Sequence, residues 1–168
     1  VPLERTQVIH SGIDLERFPF KREKEFGNPL TILVPGRIEE NKGQLDAVQL
    51  GVLLKEQSIP FELTLVGERW NQAYAAKVEA EIQSSGLEDQ TLILPMISRE
   101  ELVQLYHKAD ITLFPSKYQS GFSRIPLEAM ACGSVIISYG NEGSDEVIRA
   151  GENGFLARPH DTHSLAQH

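Results

Sequence analysis

Two permanent cations, Arg37 and Lys42, lie in a short segment that follows a β-rich run and begins with Gly36. A glycine at the end of a strand lets the backbone turn sharply. If a helix begins just after the segment, its N-terminal N–H groups add to the two cations, and together they suit a diphosphate. A solvated loop, in which the cations pair with Glu39 and Glu40, explains the same residues and stays open. The segment lacks the glycine–lysine–hydroxyl ending of the phosphate loop of nucleotide triphosphatases.

Glu128 is the second candidate, because it is the one charged side chain in the apolar segment between Ile125 and Ala131. A carboxylate on a buried helix costs on the order of several kcal/mol unless hydrogen-bond donors reach it. Those donors are either other protein groups or the hydroxyls of a ligand, and both alternatives stay open. Cys132, at the end of the same segment, is expected to be a small core residue rather than a nucleophile.

A third polar segment, 138–146, contains two glycines and three carboxylates after another apolar run. On its own it is a weak signal, because a loop that caps a helix has the same composition. The five histidines are scattered without the spacing of metal ligands, so no metal site is expected. No serine–histidine–aspartate arrangement and no nucleophile elbow is present, which argues against a hydrolase of those types.

These candidate residues need strands and helices to position them, and the apolar pattern predicts both. Five short runs are apolar and β-branched, and near-continuous runs of this kind indicate parallel strands covered on both faces; they are Leu30–Val34, Phe61–Val66, Thr91–Leu94, Ile111–Phe114 and Val135–Ile137. The segments between them predict helices. Their alternation predicts an α/β fold, a doubly wound parallel sheet forming a single Rossmann-like domain. The three polar segments then meet at the carboxyl ends of the strands.

The helix signals vary in strength along the chain. Ser98 and Glu101 form a capping-box pattern in front of an apolar stripe. Gly133 is expected to end the helix that contains Glu128. One predicted helix has a less regular stripe, made of Tyr74, Val78, Ala80 and Ile82. A further helix is expected to begin near residue 161, and residues 7–9 are a possible edge strand.

Composition restricts the class of protein. The chain has 168 residues, of which 40% are hydrophobic, and a formal net charge of −8. This length suits one domain, and the negative charge argues against nucleic acid as a partner. No apolar run approaches the roughly 20 residues that span a bilayer. A single cysteine fits a reducing compartment. The expected location is cytoplasmic, and the cytoplasmic membrane surface stays open.

Taken in order, the segments resemble the C-terminal domain of the group 1, or family 4, retaining glycosyltransferases of the GT-B fold. No single segment is specific, but the ordered set is, and it runs nearly from end to end of the chain. Six segments carry the resemblance: 8–18, 36–43, 65–67, 102–116, 127–133 and 151–156. The resemblance implies that residues 1–22 are an interdomain connector and that residues 23–168 form a truncated nucleotide-sugar-binding domain.

The resemblance also implies roles for individual residues. Arg37 and Lys42 would bind the diphosphate of the donor, Glu128 would accept hydrogen bonds from the ribose hydroxyls, and the main chain near Ile97 would contact the base. In the family, the strand before Ile97 usually ends in glycine, and Pro95 stands in that position here. Backbone N–H groups near the start of the Glu128 helix would face the distal phosphate. The whole implied donor-binding set is Gly36, Arg37, Lys42, Ile97, Ser120, Gly121, Phe122, Ser123, Arg124, Ile125 and Glu128.

The main departure from the family pattern is Ser120. It occupies the position of the first glutamate in the family's E-x7-E motif, which ends at Glu128 and whose first carboxylate contacts the donor sugar. Ser123 and Arg124 also replace the usual glycine and apolar pair. Gln119 is a neutral group that could partly substitute. No catalytic residue is therefore assigned.

The implied function is transfer of a sugar from a nucleoside-diphosphate sugar to a glycan or lipid-linked acceptor, with retention of configuration, as in polysaccharide biosynthesis. No cofactor or metal is expected. An N-terminal domain would bind the acceptor, so the isolated domain is expected to be inactive, and peripheral membrane association of the full-length protein stays open. Two alternatives remain: a nucleotide-sugar epimerase-type domain and a non-catalytic nucleotide-binding relative.

Overall fold

The computed structural model describes residues 7, 9, 11–21 and 26–168. Six parallel strands form one sheet in the order β3-β2-β1-β4-β5-β6. The strands are β1 Leu30–Pro35, β2 Phe61–Val66, β3 Thr91–Leu94, β4 Ile111–Phe114, β5 Val135–Ser138 and β6 Gly154–Leu156. The helices are α1 Gln44–Glu56, α2 Gln72–Ser84, α3 Arg99–Lys108, α4 Ile125–Ala131, α5 Ser144–Val147 and α6 Thr162–Leu165, with a 3-10 turn at Glu40–Lys42.

Apolar side chains cover both faces of the sheet, because consecutive residues of a strand point to opposite sides. In β1, Ile32 and Val34 pack into a core beneath α1 and α2, whereas Leu33 packs into a second core beneath α3 and α4. Phe18, from the segment before β1, completes this second core and meets the ring of Tyr106 edge-on. The apolar runs of β1, β4 and β5 reflect burial on both faces, whereas Glu62 in β2 and Leu92 in β3 are exposed.

Local signals start and stop the helices. Ser98 and Glu101 form the complete capping box at the start of α3, as the sequence predicts. Asn71 caps α2 by accepting the N–H of Tyr74. Gly133 follows α4 with a left-handed φ of 84°, the conformation that glycine adopts at the end of a helix.

The strand order fixes where a ligand site is expected. The chain moves outward from β1 to β2 and β3, and then returns to β4 on the other side of β1. Connections on the two sides of β1 therefore diverge, which leaves a crevice beyond the carboxyl ends of β1 and β4. Residues 36–43 and 115–124 leave those two strand ends, and residues 139–143 leave the neighbouring β5. The three polar segments do share one edge.

The predicted strands are all present, with β1 and β5 each one residue longer than expected. In α2 the stripe is shifted, because Ala75 is buried and Ala80 is exposed. Residue 8 of the suggested edge strand lies outside the described residues, as do residues 1–6, 10 and 22 of the connector 1–22 and the start of the domain at 23–25. Within the described part of the chain, no helix has the length and apolar character needed to cross a membrane.

Candidate functional site

Gly36 forms the floor of the candidate site at the end of β1. Its φ is 136°, and a side chain there would come within 3.8 Å of both Ile125 and Lys42. Gly67, at the end of β2, lies so close that an added Cβ would be 2.0 Å from the carbonyl oxygen of Gly36. The two glycines therefore keep the strand ends tightly packed and the space between Lys42 and α4 open.

Arg37 projects from this loop and is half-exposed. Its guanidinium lies 3.0 Å from the Glu39 carboxylate and 4.6 Å from the ring centroid of Trp70. The sequence-based alternative, pairing with Glu39, is therefore present in the structure. An exposed ion pair of this kind contributes little to stability. Another anion can therefore replace Glu39 as the partner of Arg37, which leaves Arg37 able to contact a phosphate.

Lys42 has a different partner from the one the sequence suggested. Its ammonium lies 2.7 and 2.6 Å from the two carboxylate oxygens of Glu142, rather than beside Glu40. Both side chains are mostly buried, with 13% of Lys42 and 3% of Glu142 exposed. The first and third polar segments are thus joined by a buried ion pair.

Glu142 is the functional candidate that the sequence reasoning missed. Its carboxylate also accepts hydrogen bonds from Asn41, Ser116 and Ser120. Burial alone would raise the pKa of Glu142, but the hydrogen bond from Lys42 and those from the two serines hold it below the ordinary value. The carboxylate therefore stays ionised at neutral pH. The available signal was a carboxylate beside a glycine in a loop that follows a strand.

A cleft of about 420 Å³ lies on the other side of Gly36. It brings together four of the predicted donor-binding residues, Ile97, Arg124, Ile125 and Glu128, and adds three residues outside that set. The full lining is Phe18, Ile97, Arg99, Leu102, Arg124, Ile125 and Glu128. An apolar wall with a carboxylate and two arginines suits a nucleoside that carries phosphates.

Glu128 lines this cleft and is 8% exposed. Its Oε2 accepts a hydrogen bond of 3.1 Å from the hydroxyl of Tyr106. Burial, together with the neighbouring Glu128 carboxylate, raises the pKa of Tyr106 well above its usual range, so the hydroxyl remains a donor. Both alternatives for the hydrogen-bond donor to Glu128 thus have support. The Tyr106 hydroxyl is a protein donor, and the hydroxyls of a ligand in the cleft can also reach the carboxylate.

Residues 119–125 connect the cleft to the Lys42–Glu142 pair. Ser120 donates its hydroxyl to Glu142, and the amide oxygen of Gln119 accepts the backbone N–H of Glu142. Gly121 has open space around it. The ring of Phe122 packs over Gly143, at 2.4 Å from where a Cβ there would stand. The N–H of Ile125 lies 3.4 Å from the Ser123 hydroxyl, so it has a weak partner at the start of α4.

Two other polar or reactive residues lie away from this edge. Asp110 is buried at the amino end of β4, where it accepts hydrogen bonds from the N–H and hydroxyl of Thr31. Cys132 is fully buried in the second core, as expected for a small core residue. Neither side chain contributes to the cleft.

Known proteins resemble the chain both in sequence and in fold. It is 32% identical to the amylovoran biosynthesis glycosyltransferase AmsK of Erwinia amylovora, over 98% of this chain and 41% of that protein. It is 29% identical to the glycogen synthase of Mycobacterium tuberculosis, over 98% of this chain and 39% of that protein. The chain therefore spans about two fifths of the length of these relatives.

Solved structures share the fold at lower identity. Anabaena Alr3699/HepE, solved in complex with UDP and glucose, superposes with a TM-score of 0.84 at 24% identity, over 98% of this chain and 46% of that one. The C-terminal domain of the group 1 glycosyl transferase LpcC of Francisella tularensis superposes with a TM-score of 0.81 at 23% identity, over 93% of this chain and 85% of that one.

The family model described as glycosyl transferases group 1 matches residues 16–168, which include both halves of the candidate site. With the six-stranded parallel sheet and the relatives at about 30% identity over nearly the whole chain, this match identifies the family. The chain belongs to the group 1 glycosyl transferases.

Proposed function

We propose that this chain binds the donor of a glycosyltransferase, a nucleoside-diphosphate sugar, at the carboxyl edge of its sheet. The observation that carries the proposal is the arrangement around Gly36. A nucleoside-sized cleft lined by Glu128 lies on one side of it, and the cation Lys42 lies on the other. Relatives named as glycosyltransferases and a fold neighbour solved with UDP-glucose support the same assignment.

Each part of the donor has a partner of suitable chemistry. The base and ribose fit the cleft, with the main chain near Ile97 beside the base and Glu128 accepting hydrogen bonds from the ribose hydroxyls. The diphosphate extends past Gly36 to Lys42 and Arg37, whose charges offset those of the leaving group. Fixed cations at that point stabilise negative charge as it develops, so the residues present can supply this stabilisation.

The rest of the reaction is also part of the proposal. The sugar passes to a glycan or lipid-linked acceptor with retention of configuration, in the cytoplasm or at the cytoplasmic membrane surface. Support comes from relatives named for polysaccharides, including amylovoran, glycogen and colanic acid. The acceptor is bound by a further domain, since the chain spans only about two fifths of the length of those relatives.

A binding screen tests the proposal. Uridine, guanosine and adenosine diphosphates, and a sugar derivative of each, are titrated into the 168-residue chain by calorimetry. We expect the diphosphate and the sugar derivative of one base to bind with a Kd in the micromolar range. The uncharged nucleoside of the same base, measured in parallel, should bind much more weakly. A chain that remains folded yet binds none of the six ligands would contradict the donor-binding role. Isomerised or free sugar after incubation would instead indicate an epimerase.

A further inference from the structure

The Lys42–Glu142 pair is unusual for a diphosphate site, because a buried carboxylate already neutralises the cation. Glu142 is 2% exposed, and its two oxygens lie 2.7 and 2.6 Å from the Lys42 ammonium. A phosphate oxygen on the outer side of that ammonium would lie about 5–6 Å from the carboxylate, a range in which two charges interact strongly. The donor therefore meets a fixed negative charge behind the lysine.

The backbone shows that this carboxylate is held in place at a cost. Glu142 has a φ of 54°, in the left-handed region that glycine adopts readily and other residues avoid. Its N–H donates to Gln119 at 2.7 Å, and its carbonyl oxygen accepts the N–H of Ser123 at 2.9 Å. With its peptide fixed at both ends and its carboxylate bound by the loops after β1 and β4, Glu142 cannot simply move away from an incoming phosphate.

The reaction changes the charge that Glu142 faces. When the bond between the sugar and the diphosphate breaks, its electron pair stays on the diphosphate oxygen. The sugar carbon bonds to the acceptor oxygen, and the proton of the acceptor hydroxyl is released to the solvent. The terminal phosphate of the product then carries about one more negative charge at pH 8 than it did in the donor. A fixed carboxylate near that phosphate repels the product more than the donor.

We propose that Glu142 is a specificity-determining residue that favours the sugar nucleotide over the nucleoside diphosphate product. It does so by keeping a negative charge directly behind Lys42. Ser120, where the family pattern has a glutamate, donates its hydroxyl to this carboxylate, so the acidic group of this region comes from the loop after β5. The inference rests on the proposed donor-binding function.

The test measures two affinities at pH 8 in the wild type and in Glu142→Gln. The ligands are the best-binding pair among UDP and UDP-glucose, GDP and GDP-mannose, and ADP and ADP-glucose. We expect the variant to bind the diphosphate more tightly, and the ratio of diphosphate Kd to sugar-nucleotide Kd to fall on the order of tenfold, since one charge interaction is removed. Glu142→Gly removes the same charge and relieves the left-handed φ, so it provides the measurement if the glutamine variant folds poorly.

Asp110→Asn is the matched control, because it also removes a buried carboxylate but at the opposite edge of the sheet. It should lower the melting temperature and leave the Kd ratio within twofold of the wild type. If the Glu142 variants also leave the ratio within twofold, or bind the diphosphate more weakly, the inference is wrong while donor binding stands. If the wild type binds none of the pairs, the proposed function itself is wrong.

Discussion

At the scale of single residues, Lys42 and Arg37 are two cations of one loop with different anchoring. Lys42 is mostly buried against Glu142, whereas Arg37 is half-exposed between Glu39 and Trp70. A buried pair leaves a costly unpaired charge when one partner is removed, and an exposed pair does not. Comparison of variants at the two residues should therefore distinguish an effect on ligand binding from an effect on stability.

We predict that Lys42→Ala and Arg37→Ala each weaken nucleoside-diphosphate binding by roughly 1.5–3 kcal/mol, because each removes a charge-assisted hydrogen bond. Lys42→Ala should also lower the free energy of unfolding by about 3 kcal/mol, since it leaves Glu142 buried without its cation. Arg37→Ala should change it by less than about 1 kcal/mol. Calorimetry and urea denaturation measure the two effects. Equal losses of affinity for the diphosphate and for the uncharged nucleoside would contradict the phosphate assignment.

Glu128 requires a pair of variants, because it touches both Tyr106 and the cleft. Glu128→Gln should reduce the preference for ribonucleotides over 2′,3′-dideoxyribonucleotides, as a neutral amide is a weaker acceptor for two hydroxyls. Tyr106→Phe removes the protein donor alone. It should lower the free energy of unfolding by about 1–3 kcal/mol and leave the ribose preference intact. A Glu128→Gln variant that loses stability but keeps the full preference would assign Glu128 a structural role only.

At the scale of elements, the sequence predicts what depends on local pattern and misses what depends on distant contacts. β1, β4 and β5 are found because burial on both faces makes each a nearly continuous apolar run. β2 and β3 are found from their apolar and β-branched residues although Glu62 and Leu92 are exposed, and α3 is found because its capping box is local. β6 has three residues, Gly154–Leu156, and is too short to show a pattern. Glu142 acquires its importance from Lys42, which lies 100 residues away in the chain, so its place beside a glycine in a loop after a strand is too weak a local signal to single it out.

Gly43 shows how an element boundary positions the site. It has a left-handed φ of 67° at the start of α1, and an added Cβ would stand 2.2 Å from the carbonyl oxygen of Pro115. Gly43→Ala should therefore push the loop after β1 away from the loop after β4. We predict a loss of about 3 kcal/mol or more in the free energy of unfolding, and weaker diphosphate binding, because Lys42 is the neighbouring residue.

Gly12→Ala is the control for this prediction, because a side chain at residue 12 would meet nothing within 4 Å. It should change the free energy of unfolding by no more than about 0.5 kcal/mol. Thermal and urea denaturation of both variants measure these changes in the free energy of unfolding. A Gly43→Ala variant as stable as Gly12→Ala would mean that the two loops can separate without cost.

At the scale of the whole molecule, the proposed donor site lies on one open surface rather than in an enclosed cavity. The residues assigned to the donor come from loops at a single edge of one sheet, and this chain covers about two fifths of its relatives. Sugar transfer requires two substrates held about 3–3.5 Å apart in a space that excludes water. In the described part of the chain, the anomeric carbon of a bound donor would face solvent.

We therefore predict that the 168-residue chain binds its donor but transfers no sugar at a measurable rate. We assign affinity for the nucleotide to Lys42, Arg37 and the cleft at Glu128, all of which lie in this chain, whereas acceptor binding and exclusion of water need a second surface. The experiment compares donor binding by calorimetry with sugar transfer to glycan and lipid-linked acceptors over several hours. The unmatched part of a relative, which we propose to bind the acceptor, should restore at most slow transfer when added in trans, limited by association of the two chains. Multiple turnovers by the chain alone would show that these loops hold the acceptor as well as the donor.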